Sequence, residues 1–368
     1  MSPSFCPFSF LRLSPGASPD GIDQLAGCCY KKLGRTPERL HRSTLTYARF
    51  LTFAALYTQP MDLLLHIGIF VVSLATLLKA SDWFVDSAES IGLSLGISPF
   101  IIGVTIVAFG TSLPELATSI ASVYAGESQI VVGNVIGSNI TNIALVLGLT
   151  AIIVKKIEME NDLWLIDMTF LWASAFVLWF VLQDLSLSTF ECILLLLGLA
   201  LFLTYSFKSN KAAEEVENRP KAENKHYLLL LLGGVLVYFG ADYTIFAITE
   251  ISTILQIPPK LIALSAVAIG TSLPEVVVSL SAARRGKASI AIGNVLGSNV
   301  FNTFIVMGVP GLLGNLEIPA DISAFYLPLM IVMTVLFGVM AFDRVITRWE
   351  GWILLLFYLM FMGQIFQS

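Results

Sequence analysis

An all-α polytopic membrane protein of ten transmembrane helices, arranged as two inverted five-helix repeats, is the fold class that three features of the sequence predict. The 368 residues are 56% hydrophobic and only 13% charged, with a mean hydropathy of +0.81, whereas an average soluble chain is about 25% charged. Ten apolar runs are long enough to cross a bilayer, which takes about 20 residues each. A polar motif recurs inside those runs. Gly110-Thr111-Ser112-Leu113-Pro114-Glu115 returns 160 residues later as Gly270-Thr271-Ser272-Leu273-Pro274-Glu275. Gly133-Asn134-Val135-Ile136-Gly137-Ser138-Asn139 returns at the same offset as Gly293-Asn294-Val295-Leu296-Gly297-Ser298-Asn299. Without a gap, 105–148 and 265–308 agree at 20 of 44 positions.

The first run, 62–80, follows Met61 and carries His66, read as a lone interfacial or packed histidine rather than a proton site. Runs 98–123 and 129–154 hold the first motif copy. Their Gly, Pro, Ser and Thr are tolerated where neighbouring helices or a cavity satisfy the freed backbone. Runs 163–182 and 189–207 complete the first half, and Cys192 lies in the latter. The second half repeats the plan at 227–249, 259–283, 288–314, 322–342 and 350–366, with the second motif copy again in its second and third spans. A five-span unit ends on the side opposite to its start, so the halves are inverted. The predicted organisation is an extension at 1–60, a first half at 61–207, a linker at 208–225 and a second half at 226–368.

Two segments need separate readings. The linker mixes five basic with four acidic residues and reads as a flexible cytoplasmic loop. Residues 1–60 hold seven Lys/Arg, and their one partly apolar stretch, 45–57, is interrupted by Arg49. They read as a disordered or non-native extension. Asp82, Asp86 and Glu89 fall after the first run and read as a solvated loop face, with a cation-gathering funnel as the alternative.

With the first helix starting outside, the inner loops carry 13 basic residues, from Lys79 through Arg284, Arg285 and Lys287 to Arg348, against Lys260 alone outside. The positive-inside rule selects this orientation, with both ends of the ten-helix core outside. A net charge of −5 without a basic run gives no nucleic-acid partner. Cys6, Cys28, Cys29 and Cys192 show no metal-ligand spacing.

The repeated motifs carry the chemistry. A carboxylate at mid-membrane costs roughly 2.5–3.5 kcal/mol on insertion scales, yet Glu115 and Glu275 occupy matching places. Packed about a pseudo-two-fold axis, they converge, and two neighbouring carboxylates repel unless a cation joins them. Ca2+ takes six to eight oxygen ligands. Pro114 and Pro274 lack an N–H for the carbonyls of residues 110 and 270, so helix breaks are expected at Gly110 and Gly270. Thr111 and Thr271 supply hydroxyls one turn before each glutamate. Asn134, Ser138 and Asn142, and in the second copy Asn294, Ser298 and Asn302, stand four apart on one helix face. Gly133/Gly137 and Gly293/Gly297 form small-residue seams for close packing. The donors are hard oxygens, which argues against copper or zinc.

These motifs resemble the alpha-1 and alpha-2 repeats of sodium/calcium exchangers in the calcium/cation antiporter superfamily, and the likeness covers about residues 61–368. It implies exchange of Na+ for Ca2+ by alternating access, with no cofactor and with the ions and the lipid bilayer as partners. It also implies a monomer in the plasma membrane, or in the inner membrane of a bacterium. By the same resemblance Glu115 and Glu275 are shared cation ligands. Ala108, Thr111 and Ser138 line one sodium position, and Ala268, Thr271 and Ser298 its mirror. Asn142 and Asn302 stand at the centre, with Ser112 and Ser272 contributing. Many members carry aspartate where this chain has Asn302, which leaves two carboxylates rather than three. The linker is too short for the large calcium-sensing domain of animal exchangers.

Other readings compete at particular residues. Thr118, Ser119 and Ser279 read as glue between helices. An intramembrane hydrolase would use the two glutamates as an acid–base pair, and a cation channel would use them as a charged ring. The symmetric duplication and broken helices favour a carrier over both. Ca2+/H+ exchange and K+-dependent Na+/Ca2+ exchange are the alternatives among carriers.

Overall fold

The computed structural model describes residues 40–158, 163–208, 221–255, 271–320 and 322–367. Most of the extension and the linker, together with Ala268 and Gly270, therefore lie outside the described residues. By internal contacts the chain divides into Met1–Asp62 and Leu63–Ser368, and the second unit holds the helical core.

Among the described residues ten helices follow one another: α1 (Asp62–Ser94), α2 (Pro99–Tyr124), α3 (Gln129–Val154), α4 (Leu163–Val181), α5 (Thr189–Lys208), α6 (Asn224–Ile254), α7 (described from Leu273–Arg284), α8 (Ala288–Leu313), α9 (Ile322–Asp343) and α10 (Arg348–Gln367). Seven are long and apolar enough by themselves to cross a membrane. Between α3 and α4 runs β1 (Lys156–Glu158), and between α9 and α10 runs β2 (Val345–Thr347). The two strands pair antiparallel with Ile157 opposite Ile346. Opposite them in the fold, Ser128 Oγ accepts from the backbone N–H of Glu317, tying the α2–α3 and α8–α9 loops. Both pairings join loops that ten consecutive crossings place on one side.

Burial sorts the helices. The apolar window of α8 is 94% buried, against 17% for α1, so the motif helices form the centre and α1 the rim. Glycine makes the centre possible. A Cβ on Gly293 would lie 2.4 Å from the Phe100 carbonyl oxygen, and one on Gly297 2.3 Å from that of Val104. The backbones of α2 and α8 can meet this closely only because neither glycine has a side chain. The segment expected to face the Gly133/Gly137 seam by the same symmetry, 260–264, lies outside the described residues. At the rim, α6 packs on α1 through Gly233 and Gly240, and Thr244 donates to Ser73 Oγ at 2.9 Å.

Several expectations change in detail. Helix α1 does not end near residue 80 but continues to Ser94. Asp82, Asp86 and Glu89 therefore sit on a helix, and Arg285 and Lys287 hold them in ion pairs; the loop-face reading is withdrawn. His66 packs against Phe246 with ring centroids 5.8 Å apart, as the packed reading expects. Cys192 is buried against Gly311, where an added Cβ would stand 2.5 Å from its sulfur; it serves as a small packing group.

Candidate cation-binding site

Both motif copies open a new helix in the same way. Ser112 has φ −85° and ψ 0°, and Ser272 has φ −84° and ψ 2°. Each caps a new helix with proline in its first turn, and Ser112 separates that helix from the turn Ala108–Thr111 before it. The break thus falls at the serine, two residues beyond Gly110. Proline is accepted in a first turn because its missing N–H has no intrahelical partner there. The new segments, Leu113–Tyr124 and Leu273–Arg284, place Glu115 and Glu275 in their first turns, where the positive end of the helix dipole favours a carboxylate.

On the partner helices, a π-turn begins at each central asparagine: Asn142–Leu147 in α3 and Asn302–Val306 in α8. Such turns are rare and frequently mark functional sites. They coincide with the symmetric pair and with the centre of the site.

The side chains then lock the halves together in mirrored bonds. Thr111 Oγ1 donates to Asn294 Oδ1 at 3.1 Å, and Thr271 Oγ1 donates to Asn134 Oδ1 at 3.0 Å. Thr111 lies 3.4 Å from Ser298 Oγ, and Thr271 lies 3.4 Å from Ser138 Oγ. Each asparagine amide is anchored on its other side. Asn134 Nδ2 donates to Ser119 Oγ at 3.1 Å and to the Glu115 carbonyl at 3.2 Å, and Asn294 Nδ2 donates to Ser279 Oγ at 2.9 Å. Ser119 and Ser279 are thus glue, as read, but glue that orients the site. Asn134 and Asn294 act as clamps, a role that their place on a helix face could not reveal. The equal spacing of 15 residues from Ser119 to Asn134 and from Ser279 to Asn294 is the sequence signal that could have found it.

What remains is a set of buried polar atoms with no hydrogen-bond partner. Both carboxylate oxygens of Glu115, Oε2 of Glu275, Oγ of Ser272 and the whole amides of Asn142 and Asn302 belong to it. Glu275 Oε1 accepts a long bond, 3.4 Å, from Ser112 Oγ across the repeat boundary. Glu115, Glu275, Ser272, Ser298, Asn142 and Asn302 are fully buried, as is Ala108, and Thr111, Ser112 and Ser138 nearly so. A buried group without a partner is normally avoided, and a buried carboxylate without one is far less favourable still. Across the halves the structure joins Thr111 to Ser298, Thr271 to Ser138 and Ser112 to Glu275; Ala108, Ser272, Asn142 and Asn302 are buried on the same motif helices, and Ala268 lies outside the described residues. Among the described residues no group of three or more His, Cys, Asp and Glu is placed to hold a metal ion by itself. The arrangement supplies two carboxylates, amide oxygens and hydroxyls, a hard-oxygen set that suits Ca2+ and Na+.

Comparison with known proteins gives consistent findings. The family described as "Sodium/calcium exchanger protein" matches residues 65–208 and 225–366. The sodium/calcium exchanger MaX1 of Methanosarcina acetivorans is 35% identical over 344 residues, covering 81% of this chain and 97% of that protein. The inner membrane protein YrbG of Escherichia coli K12 is 31% identical, over 77% of this chain and 90% of its own. A solved structure of the sodium-calcium exchanger NCX_Mj, soaked with Na+ and Sr2+, superposes with a TM-score of 0.73 at 32% identity, covering 82% of this chain and 99% of that one.

Proposed function

The chain belongs to the sodium/calcium exchanger family, and from that premise we propose that it exchanges Na+ for Ca2+ by alternating access at the paired motifs. Glu115 and Glu275 are the shared ligands. Thr111, Ser138 and the Ala108 carbonyl form one sodium position, and Thr271, Ser298 and the Ala268 carbonyl its mirror. Asn142 and Asn302 turn their amide oxygens to the centre, while Ser112 and Ser272 add hydroxyls. No cofactor takes part, and transport rather than hydrolysis is the activity, as in its relatives.

One observation carries this reading: the buried carboxylate and amide oxygens of Glu115, Glu275, Asn142 and Asn302 that have no hydrogen-bond partner. It also explains obligatory exchange. Emptied, the site leaves two buried carboxylates with nothing to neutralise them, and the several kcal/mol that such desolvation costs oppose passage through an occluded state. Filled with Ca2+ or with Na+, it can pass. The site is built within one chain, which supports a functional monomer. The Arg285 end faces the cytoplasm, because the basic loops gather there, and the organism's plasma membrane is the location. Residues 1–60 form an extension outside the transport unit, and 208–225 join its halves on the cytoplasmic side.

Na+-gradient-driven uptake of radioactive Ca2+ into proteoliposomes at clamped pH tests the proposal. The expected result is uptake that follows the Na+ gradient and does not need K+. Uptake driven only by a pH gradient would make the protein a Ca2+/H+ exchanger, and a strict K+ requirement would add a third ion.

A further inference from the structure

The motif copies that line the site are alike, but the two ends of the path past them are not. Thr118, one turn beyond Glu115, is exposed and lines a cavity of about 340 Å3 that extends from Asp242 on α6 to Asn134 and Thr271 at the site. Its counterpart at the 160-residue offset is Val278 on α7, which is fully buried. Segment Leu113–Tyr124 buries three of its twelve residues, and segment Leu273–Arg284 buries nine of twelve.

A charge network closes the second end. Ser281 Oγ donates to Asp82 Oδ1, and Arg285 pairs with Asp82 at 3.5 Å and with Asp86. Lys287 pairs with Asp86 and, at 2.7 Å, with Glu89. All three carboxylates belong to α1, whose apolar window is otherwise the least buried of the seven long spans. The mirror positions carry no such set. Arg285 and Lys287 correspond to Ala125 and Glu127, and Asp86 corresponds to Phe246. Asp82 corresponds to Asp242, which faces the open cavity instead of an arginine.

We propose that Arg285 and Lys287, with Asp82, Asp86 and Glu89, are positioning residues for the exchange: a latch that holds the path shut at the Arg285 end until its pairs break. This rests on the alternating-access reading. Parting α7 from α1 at this end uncovers Val278 and, beyond it, Glu275. The groups are about a third exposed, apart from the more buried Lys287 and Glu89. A pair of this kind shifts a population by at most about fivefold, and the four linked pairs together by at most several hundredfold, roughly. That range sets a resting state and still permits release in every cycle. Among the described residues no such network holds the other end, so the resting state is the one with Asp242 at an open mouth.

The test is the accessibility of Val278. The full-length chain, with its four cysteines replaced and Val278→Cys introduced, is reconstituted without ion gradients and exposed to a membrane-impermeant maleimide at the Arg285 end. Modification should be slow, and Arg285→Gln with Lys287→Gln should raise its rate at least about fivefold. The same pair of changes should slow modification of Thr118→Cys from the opposite end. Arg285→Lys with Lys287→Arg keeps both charges and should restore the slow rate. Equal rates in the parent and in a folded, neutralised variant overturn the latch. If the neutralised variant does not fold, choline chloride at high concentration replaces it, since screening weakens such pairs; a rate at Val278→Cys that ignores the salt also overturns it. The readout needs no transport. A protein whose labelling responds but whose Ca2+ uptake ignores Na+ would keep the latch and lose the exchange reading.

Discussion

Glu115 has no exposed surface and no partner for either carboxylate oxygen, and Glu275 is satisfied at only one. Glu115→Gln or Glu275→Gln preserves shape and removes half the negative charge available to a dication. By analogy with breaking a buried charge pair, Ca2+ binding should weaken by about 2–5 kcal/mol, roughly thirtyfold or more. The protein should still insert, because the amide is less costly than the carboxylate in lipid. Isothermal titration and Ca2+ uptake on monodisperse variants read the two effects separately. Near-normal uptake would remove these glutamates from the site. Both were legible in the sequence, since a carboxylate inside an apolar run has few explanations. The clamp made by Asn134 and Asn294 was not. Helical spacing tells which face a side chain leaves from, and says nothing of whether its amide turns to Ser119, to Thr271 or to an ion.

At the scale of the element, residue type fixed the helices better than their ends. Apolar length gave spans close to those observed, the part of 259–283 before residue 271 lying outside the described residues, but the extension of α1 to Ser94 was hidden. Asp82, Asp86 and Glu89 look like loop residues until Arg285 and Lys287, about 200 positions away in sequence, neutralise them. The break at Ser112 was misplaced by two residues for a local reason. Pro114 does deprive the Gly110 carbonyl of its donor, yet the preceding turn is still completed by the Ser112 N–H bonding to the Ala108 carbonyl at 3.0 Å. The glycine seam was legible as packing, and it makes a sharp prediction. In Gly297→Ala the new Cβ would meet the Val104 oxygen at 2.3 Å and the Ala108 Cβ at 2.7 Å. Over-packing of this kind costs about 1–3 kcal/mol, and here it pushes Ser298 away from Thr111. A lowered thermal midpoint in detergent together with reduced Na+-driven Ca2+ uptake is expected. Gly363→Ala, with nothing within 4 Å of its Cβ, is the control. Equal behaviour of the two variants would deny the seam its role.

For the whole molecule, orientation and charge movement decide what the exchange accomplishes. With Lys79 placed inside α1, twelve basic residues in and beside one set of loops against one in the other predict that single cysteines placed at Asn210 and Arg285, in a cysteine-free background, are labelled only from the cytoplasm. One at Asn315 should be labelled only from outside. Labelling of the first two from outside would reverse the direction of extrusion. Given that orientation, the exchange should be electrogenic. With both glutamates ionised the empty site carries a charge near −2, so one Ca2+ brings it to neutrality. Three Na+, spread over the two mirrored positions and the centre at Asn142 and Asn302, bring it to +1. Asn302 matters here, because an amide in place of a third carboxylate leaves no further charge to offset the third sodium. The loaded forms then differ by one charge, and a potential of about 100 mV biases each cycle by about 2.3 kcal/mol, a shift of roughly fiftyfold at equilibrium. An inside-negative potential should therefore drive Na+ in and Ca2+ out. Proteoliposomes whose potential is set by a K+ gradient and valinomycin provide the measurement, with the Ca2+ distribution followed to equilibrium at fixed Na+. A distribution that ignores the potential would mean two sodium ions per calcium, and the third sodium position at the two asparagines would have to be abandoned.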